Sequence, residues 1–250
     1  MKLNVSLNDW KNGTNILSLE VPAQLKTTIQ TGIDFVDYGL GGQGVTPSSA
    51  VLVTGTPGAG KSTMCLQLAD SCTKQGHSVL FNTGEESLFQ VKKVCDRLKL
   101  NHGFYAGQST KLSDIIKHAR ELKSKEPQKQ QFLIIDSLQT IDDEYYANGL
   151  INSMTQVRVA EKLTEYCKET FAIALIIGQV TKEGEFSGKQ AIKHAVDVHM
   201  HLSIDLAKKS ETYGERVLEI QKNRFGPAGK RFLVNLTESG ISLKDEITAG

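Results

Sequence analysis

The chain has little of what marks secreted, metal-stapled or membrane-embedded proteins. Its four cysteines (Cys65, Cys72, Cys95, Cys167) form no C-x-x-C pair. That suggests neither a zinc ribbon nor a disulfide scaffold. No run approaches the roughly 18 apolar residues of a membrane span, and the opening MKLNVSLNDWKNG has no apolar signal segment. Charge of one sign is not in excess: 29 Lys+Arg stand against 28 Asp+Glu. A strongly basic, histone-like binder is excluded, whereas a local basic loop on a neutral protein is not. No Pro-, Gly- or Ser-rich linker follows residue 30 and no repeat is present, so nothing marks off a second sizeable domain. With 39% hydrophobic and 23% charged residues the chain is not disordered either. The expectation is a cytoplasmic protein in a reducing compartment, with no membrane partner.

What is present is an alternation of short apolar runs with helical patterns. Residues 1–27 are polar, carry the single tryptophan, Trp10, and read as an arm; residues 28–250 read as one domain. Trp10 reads as packing on the protein's own core, with docking on a neighbour as the alternative. Ala50 to Val53, Val79 to Phe81, Phe132 to Ile135 and Ala172 to Ile177 are apolar strands. Between them lie helical spacings, Cys65-Leu68-Ala69-Cys72 closed by Gly76, and Val91-Val94-Cys95-Leu98. Such runs, separated by helices, are what a parallel sheet buried on both faces requires. Cys65, Cys72 and Cys95 fall on core faces and read as small core residues, while the placement of Cys167 is left open. From Val198 to Ile204 apolar residues alternate with His199, His201 and Ser203, predicting a strand with one wet face. Strands near 216–221 and 231–236 complete an antiparallel extension.

The segment Gly55-Thr56-Pro57-Gly58-Ala59-Gly60-Lys61-Ser62-Thr63 satisfies G-x-x-x-x-G-K-[ST] between an apolar strand and an amphipathic helix. Its glycines let the backbone N–H groups curl around a polyphosphate at a helix N-terminus. Lys61 then neutralises the outer phosphates, and the Ser62 hydroxyl takes one place on an octahedral Mg²⁺. Asp136 ends an apolar strand at the edge where open α/β sheets bind ligands, and suits holding that ion through water. ATP and Mg²⁺ are therefore the expected ligands. Glu85 and Glu86 follow a strand at the same edge. One of them, Glu85 ahead of Glu86, suits orienting and deprotonating an attacking water; the pair could also simply open the next helix. Gln179 after the strand ending at Ile177 suits sensing the γ-phosphate, or is a surface amide.

Further motifs occur in order: Thr31-Gly32-Ile33, Leu40-Gly41-Gly42, Thr83-Gly84-Glu85-Glu86-Ser87, Ile135-Asp136-Ser137-Leu138-Gln139-Thr140, Gln156-Val157-Arg158, Gln179-Val180-Thr181-Lys182-Glu183-Gly184, His194-Ala195-Val196-Asp197 and Lys222-Asn223-Arg224-Phe225-Gly226. Over residues 28 to 243 they resemble the ATPase core of the bacterial RadA (Sms) family within the RecA superfamily. The resemblance implies an α/β RecA-like P-loop ATPase that assembles as a homo-oligomer, ring or filament, with ATP at subunit interfaces. It implies that Glu85 activates water, that Gln179 links γ-phosphate to a DNA-binding loop, and that Lys222 and Arg224 reach into a neighbour's ATP. The implied function is an ATP-dependent motor on single-stranded or branched DNA in homologous recombination and repair. A KaiC-like assembly switch without DNA and a DnaB-type helicase motor are the alternatives.

Two segments are candidate DNA contacts. Residues 181–193 carry Lys182, Lys189 and Lys193 with Phe186 among Gly184, Ser187 and Gly188. Asp142 to Arg158 carries one cation, Arg158, with Tyr145 and Tyr146 able to stack on bases. The Lys-rich stretch 111–129 is interleaved with acids and reads as a solvated helix face. His199 and His201 share a face but lack a third ligand for a metal. Asp197 is left without an assigned role. Typical members of the family add a four-cysteine zinc finger and a Lon-protease-like domain, for which this sequence shows no counterpart. The expectation is a motor without those accessories. It also has Pro47-Ser48 where the family usually has Pro-Gly.

Overall fold

The computed structural model describes residues 15–179, 189–208 and 210–247. Its strands are β1 (Ser49–Thr54), β2 (Ser78–Thr83), β3 (Tyr105–Gly107), β4 (Gln131–Asp136), β5 (Ile173–Ile177), β6 (Val198–Ile204), β7 (Arg216–Asn223), β8 (Arg231–Thr237) and β9 (Gly240–Ile247). The helices are α1 (Asp34–Gly39), α2 (Lys61–Lys74), α3 (Leu88–Arg97), α4 (Leu112–Lys125), α5 (Ser153–Thr170) and α6 (Lys189–Ala195). All strands join one sheet in the order β3-β2-β4-β5-β1-β6-β7-β8-β9. Pairing is parallel from β3 to β6 and antiparallel from β6 to β9, the mostly parallel sheet and antiparallel extension that the patterning predicts.

The apolar runs behave as two-faced strands. Val51 and Val53 point with Phe132 and Ile134 into a core shared with Met64, Leu68 and Cys72 of α2. Ala50, Leu52, Leu133 and Ile135 point the other way, onto Ile115 of α4, Leu163 of α5 and Ile192 of α6. Each of the larger buried side chains, from valine to phenylalanine, contributes about 1.5–3 kcal/mol, which holds the helices on both faces. Helix ends are specified locally. Ser87 and Gln90 form a capping box on α3, and Asn152 and Thr155 one on α5. Helix α2 ends at Lys74 with Gln75 as its cap; Gly76 supplies the left-handed residue after it.

Cys65, Cys72 and Cys95 are buried and free as expected, and so is Cys167, whose placement the sequence leaves open. Two details depart from the sequence reading. The strand β6 has no wet face at its start: His199 is only 2% exposed, because its face packs on the side covered by α5 and α6, opposite Leu52. The 181–193 loop is shorter than expected, since α6 begins at Lys189 and buries Ile192. Lys182, Gly184, Phe186, Ser187 and Gly188, like Trp10, lie outside the described residues. Among the described residues no helix is long and apolar enough to cross a membrane.

Candidate nucleotide site

Four neighbouring strands deliver the site. In register, Thr83, Asp136, Ile177 and Val53 form one row across β2, β4, β5 and β1. The residues that end or follow that row all leave the same edge of the sheet: Gly84-Glu85, Asp136-Ser137, Gly178-Gln179 and the glycine-rich loop from Gly55. They meet in a cavity of about 320 Å³ lined by Pro57, Gly58, Gly60, Lys61, Ser62, Thr63, Glu85, Asp136, Ile177, Gln179 and Leu236.

The loop between β1 and α2 is shaped by glycines with positive φ. Gly55 has φ +150°, and a Cβ placed there would sit 1.6 Å from the Leu202 carbonyl oxygen of β6. Only glycine lets this strand end pass so close to its neighbour. Gly60, φ +109°, stands at the N-terminus of α2, whose first N–H groups have no helical partner. Thr56 ties the loop to β6 by accepting the Ile204 N–H at 3.3 Å, and Ala59 N–H closes the turn on Thr56 O at 3.2 Å. Lys61 is buried, and its ammonium donates to the carbonyls of Gly55 and Thr56, both at 2.9 Å. Burial pulls its pKa below the ordinary lysine value, opposed by the charge of Asp136.

Asp136 is 8% exposed. Burial pushes its pKa up to about 6, opposed by a hydrogen bond from the Ser62 hydroxyl. A buried carboxylate beside a hydroxyl, at the foot of a phosphate-sized loop, is the oxygen-donor chemistry that Mg²⁺ takes. Ser62 and Asp136 thus fit the ion. The carboxylate of Glu85 receives the Gln179 amide on both oxygens, at 2.8 and 3.0 Å, and the Ser137 hydroxyl on Oε1. Glu86 does not line the cavity; its main chain closes a turn with the Thr83 hydroxyl.

Lys222 and Arg224 are not part of this cluster. Lys222 lies near the end of β7 and Arg224 just follows it, at the opposite edge of the sheet, where Asn223 pairs with Val198. From Ala50, level with Arg224, to Gly55 is roughly 16 Å at about 3.3 Å per residue. Arg158 lies in α5, not in a loop. It makes two hydrogen bonds to Asp143 and stacks over Tyr145, 4.3 Å from the ring centre, and Tyr146. His199 and His201 both bond the Thr54 hydroxyl, at 2.7 and 2.8 Å. Burial drops the His199 pKa to about 3, so that ring is neutral. Among the described residues no cluster of three metal-binding side chains occurs.

Sequence reasoning did not single out Ser137 and Leu236. A small hydroxyl directly after the strand-end aspartate was the available signal for the first. Leu236 carried none, because it reaches the cavity from the β8–β9 hairpin.

Comparison with known proteins agrees with this geometry. The sequence model of the family described as "ATPase: KaiC" matches residues 29–247. The DNA repair protein RadA of Aquifex aeolicus is 33% identical over 220 residues, 88% of this chain and 47% of the relative. That of Campylobacter jejuni is 36% identical over 225 residues, with the same coverage. The chain spans about half the length of these relatives. Among solved structures, a DnaB-like replicative helicase superposes with a TM-score of 0.74 at 16% identity, covering 86% of this chain and 62% of that one. A KaiC-like protein of Pyrococcus horikoshii gives 0.70 at 18%, covering 86% and 98%. These likenesses show the fold, and the family model and the RadA relatives add the lineage: the chain belongs to the KaiC ATPase family of the RecA superfamily and carries its nucleotide-binding ATPase core.

Proposed function

We propose that this ATPase is a motor of homologous recombination and DNA repair that acts in the cytoplasm on single-stranded or branched DNA. The observation that carries the reading is the clamp between Gln179 and Glu85. The group suited to activating water is held by Gln179, which stands just ahead of residues 181–193, the first DNA-contact candidate. A pull on that segment would move Gln179 and so change the freedom of Glu85. Lys61, with the N–H groups of the loop and of α2, binds the phosphates. Ser62 and Asp136 would hold Mg²⁺, which when bound screens phosphate charge. Glu85 takes the proton of the attacking water, and Ser137 and Gln179 orient it.

Lys222 and Arg224, remote from their own loop, would serve the nucleotide of a second copy, making hydrolysis depend on a homo-oligomer, ring or filament. Residues 1–27 are taken as an arm and 28–250 as the ATPase domain, a division supported by the exposure of every residue from 15 to 24.

The test is steady-state ATP hydrolysis with and without single-stranded DNA, at low and moderate salt. Stimulation that fades as salt rises is expected, because phosphate contacts release counterions. A flat rate in protein that binds ATP would instead favour a KaiC-like switch without DNA. The pairing of Arg158 with Asp143 supports that second reading, since it leaves the Asp142–Arg158 segment without a free cation. A DnaB-type helicase motor has the fold likeness alone behind it.

A further inference from the structure

Asp197 follows α6 and precedes β6, and it is 1% exposed. Its Oδ1 accepts Arg224 Nη1 at 2.6 Å, and its Oδ2 accepts the Ala50 N–H at 3.1 Å. Its main chain is held as firmly: the N–H donates to Ala50 O at 2.9 Å, and the carbonyl accepts the Arg224 N–H at 3.0 Å. Lys222 is docked alongside, its ammonium donating to the carbonyls of Lys193 and Val196, both at 2.6 Å. The Arg224 side chain nevertheless remains 48% exposed. A guanidinium has five N–H donors, so an arginine anchored through one nitrogen keeps donors for a second partner.

We propose that Asp197 is a positioning residue, which fixes the Arg224 guanidinium before a second copy's nucleotide arrives. The inference rests on the reading of Arg224 as a cation supplied in trans. Its physical basis is preorganisation: a long side chain already fixed by a buried carboxylate loses little freedom when it docks on phosphate. The anchor also sets a distance. Asp197 is bonded to Ala50 near the start of β1, and the phosphate loop leaves the end of the same strand. One strand therefore spaces the nucleotide a copy binds from the nucleotide it serves.

The alternative is that the Asp197–Arg224 pair merely staples β6 and β7 to β1. Mixing separates the two. In the full-length chain, Asp197→Asn is expected to lower kcat by roughly one to two orders of magnitude, the worth of a hydrogen bond to a charged group. Affinity for a fluorescent ATP analogue should stay within about two-fold, as the variant's own phosphate loop is untouched. Adding excess Lys61→Ala protein, which has a normal Arg224 but a disabled phosphate loop, should restore hydrolysis by the Asp197→Asn subunits. Failure to restore it would mean that Asp197 acts within its own subunit, and the proposal falls.

Two controls keep the outcomes apart. Arg224→Ala alone must be defective; if it hydrolyses ATP normally, the trans reading itself is wrong. The double variant Asp197→Asn/Arg224→Ala should be no slower than Arg224→Ala. A further ten-fold loss, or a collapse in its thermal melt that Arg224→Ala lacks, would make Asp197 a structural residue.

Discussion

Removing the Ser137 hydroxyl tests the assignment of the water-activating group. The Glu85 carboxylate has two neutral donors on it, Ser137 Oγ and the Gln179 amide. Ser137→Ala deletes one and leaves the other. A hydrogen bond to an ionised group is worth about 1.5–3 kcal/mol, but Glu85 is exposed, and water screens and partly replaces the bond. About 1–1.5 kcal/mol of positioning is therefore at stake, a roughly five- to twelve-fold fall in kcat. The KM for ATP should hardly move, because Ser137 does not line the cavity. The melting temperature should hold as well, since the acceptor left behind is open to solvent and no buried polar group is orphaned. Single-turnover hydrolysis beside analogue binding reads both quantities. An unchanged single-turnover rate, or a fall in rate matched by a fall in nucleotide affinity, would refute the positioning of Glu85 by this hydroxyl.

Three other perturbations follow from named contacts. Asp136 has its pKa raised from 3.8 to about 6 by burial, so the folded protein holds a proton that the unfolded chain has released. The contribution of Asp136 to stability without nucleotide should therefore be full below about pH 4 and be lost as pH rises through about 6, by up to roughly 3 kcal/mol at about 1.4 per pKa unit. Denaturant titrations should show that slope in the wild type and its loss in Asp136→Asn. Gly55→Ala sets a Cβ 1.6 Å from the Leu202 carbonyl, and neither strand can yield. A loss of at least about 3 kcal/mol and of analogue binding is expected by thermal melt and titration. Ser48 has φ +67°, a conformation costing a non-glycine residue about 1–2 kcal/mol. After the entropy that glycine adds to the unfolded chain, Ser48→Gly should raise the melting temperature by about 1–3 °C.

The parts of the fold legible in the sequence are those written in local physics. The phosphate loop needs glycines, a strand before and a helix after, all within about 25 residues, and the chain supplies them in that order. The parallel strands announce themselves because burial on both faces forbids polar alternation. Where the reading failed, something distant in sequence had intervened. His199 alternates with apolar neighbours as a solvent-facing residue would, yet it is buried beside Leu52 and the Thr54 hydroxyl bonds it. Arg158 looks like a free cation until Asp143, fifteen residues earlier, is found to occupy its guanidinium.

The site divides in the same way, and the division has a physical cause. Lys61, Ser62 and Asp136 could be picked out as candidates because each follows from a residue type at a local landmark, the start of α2 for the first two and the end of β4 for the third. Ser137 could not, because its place is conferred by register: Thr83 pairs with Asp136, and that pairing helps bring Ser137 to Glu85. Gly84 belongs to the same logic. A Cβ there would lie 2.1 Å from the Thr140 hydroxyl oxygen, and the Gly84 N–H bonds Asp136 O at 2.7 Å. The glycine in Thr83-Gly84-Glu85-Glu86 is therefore what lets the turn after β2 lie against the turn after β4. A side chain at Gly84 would push those turns apart and carry Glu85 away from Ser137 while leaving the phosphate loop intact. Gly84→Ala should accordingly bind nucleotide yet hydrolyse it at least as poorly as Ser137→Ala. A variant that kept full turnover would show that the packing of the two turns is not what places the carboxylate.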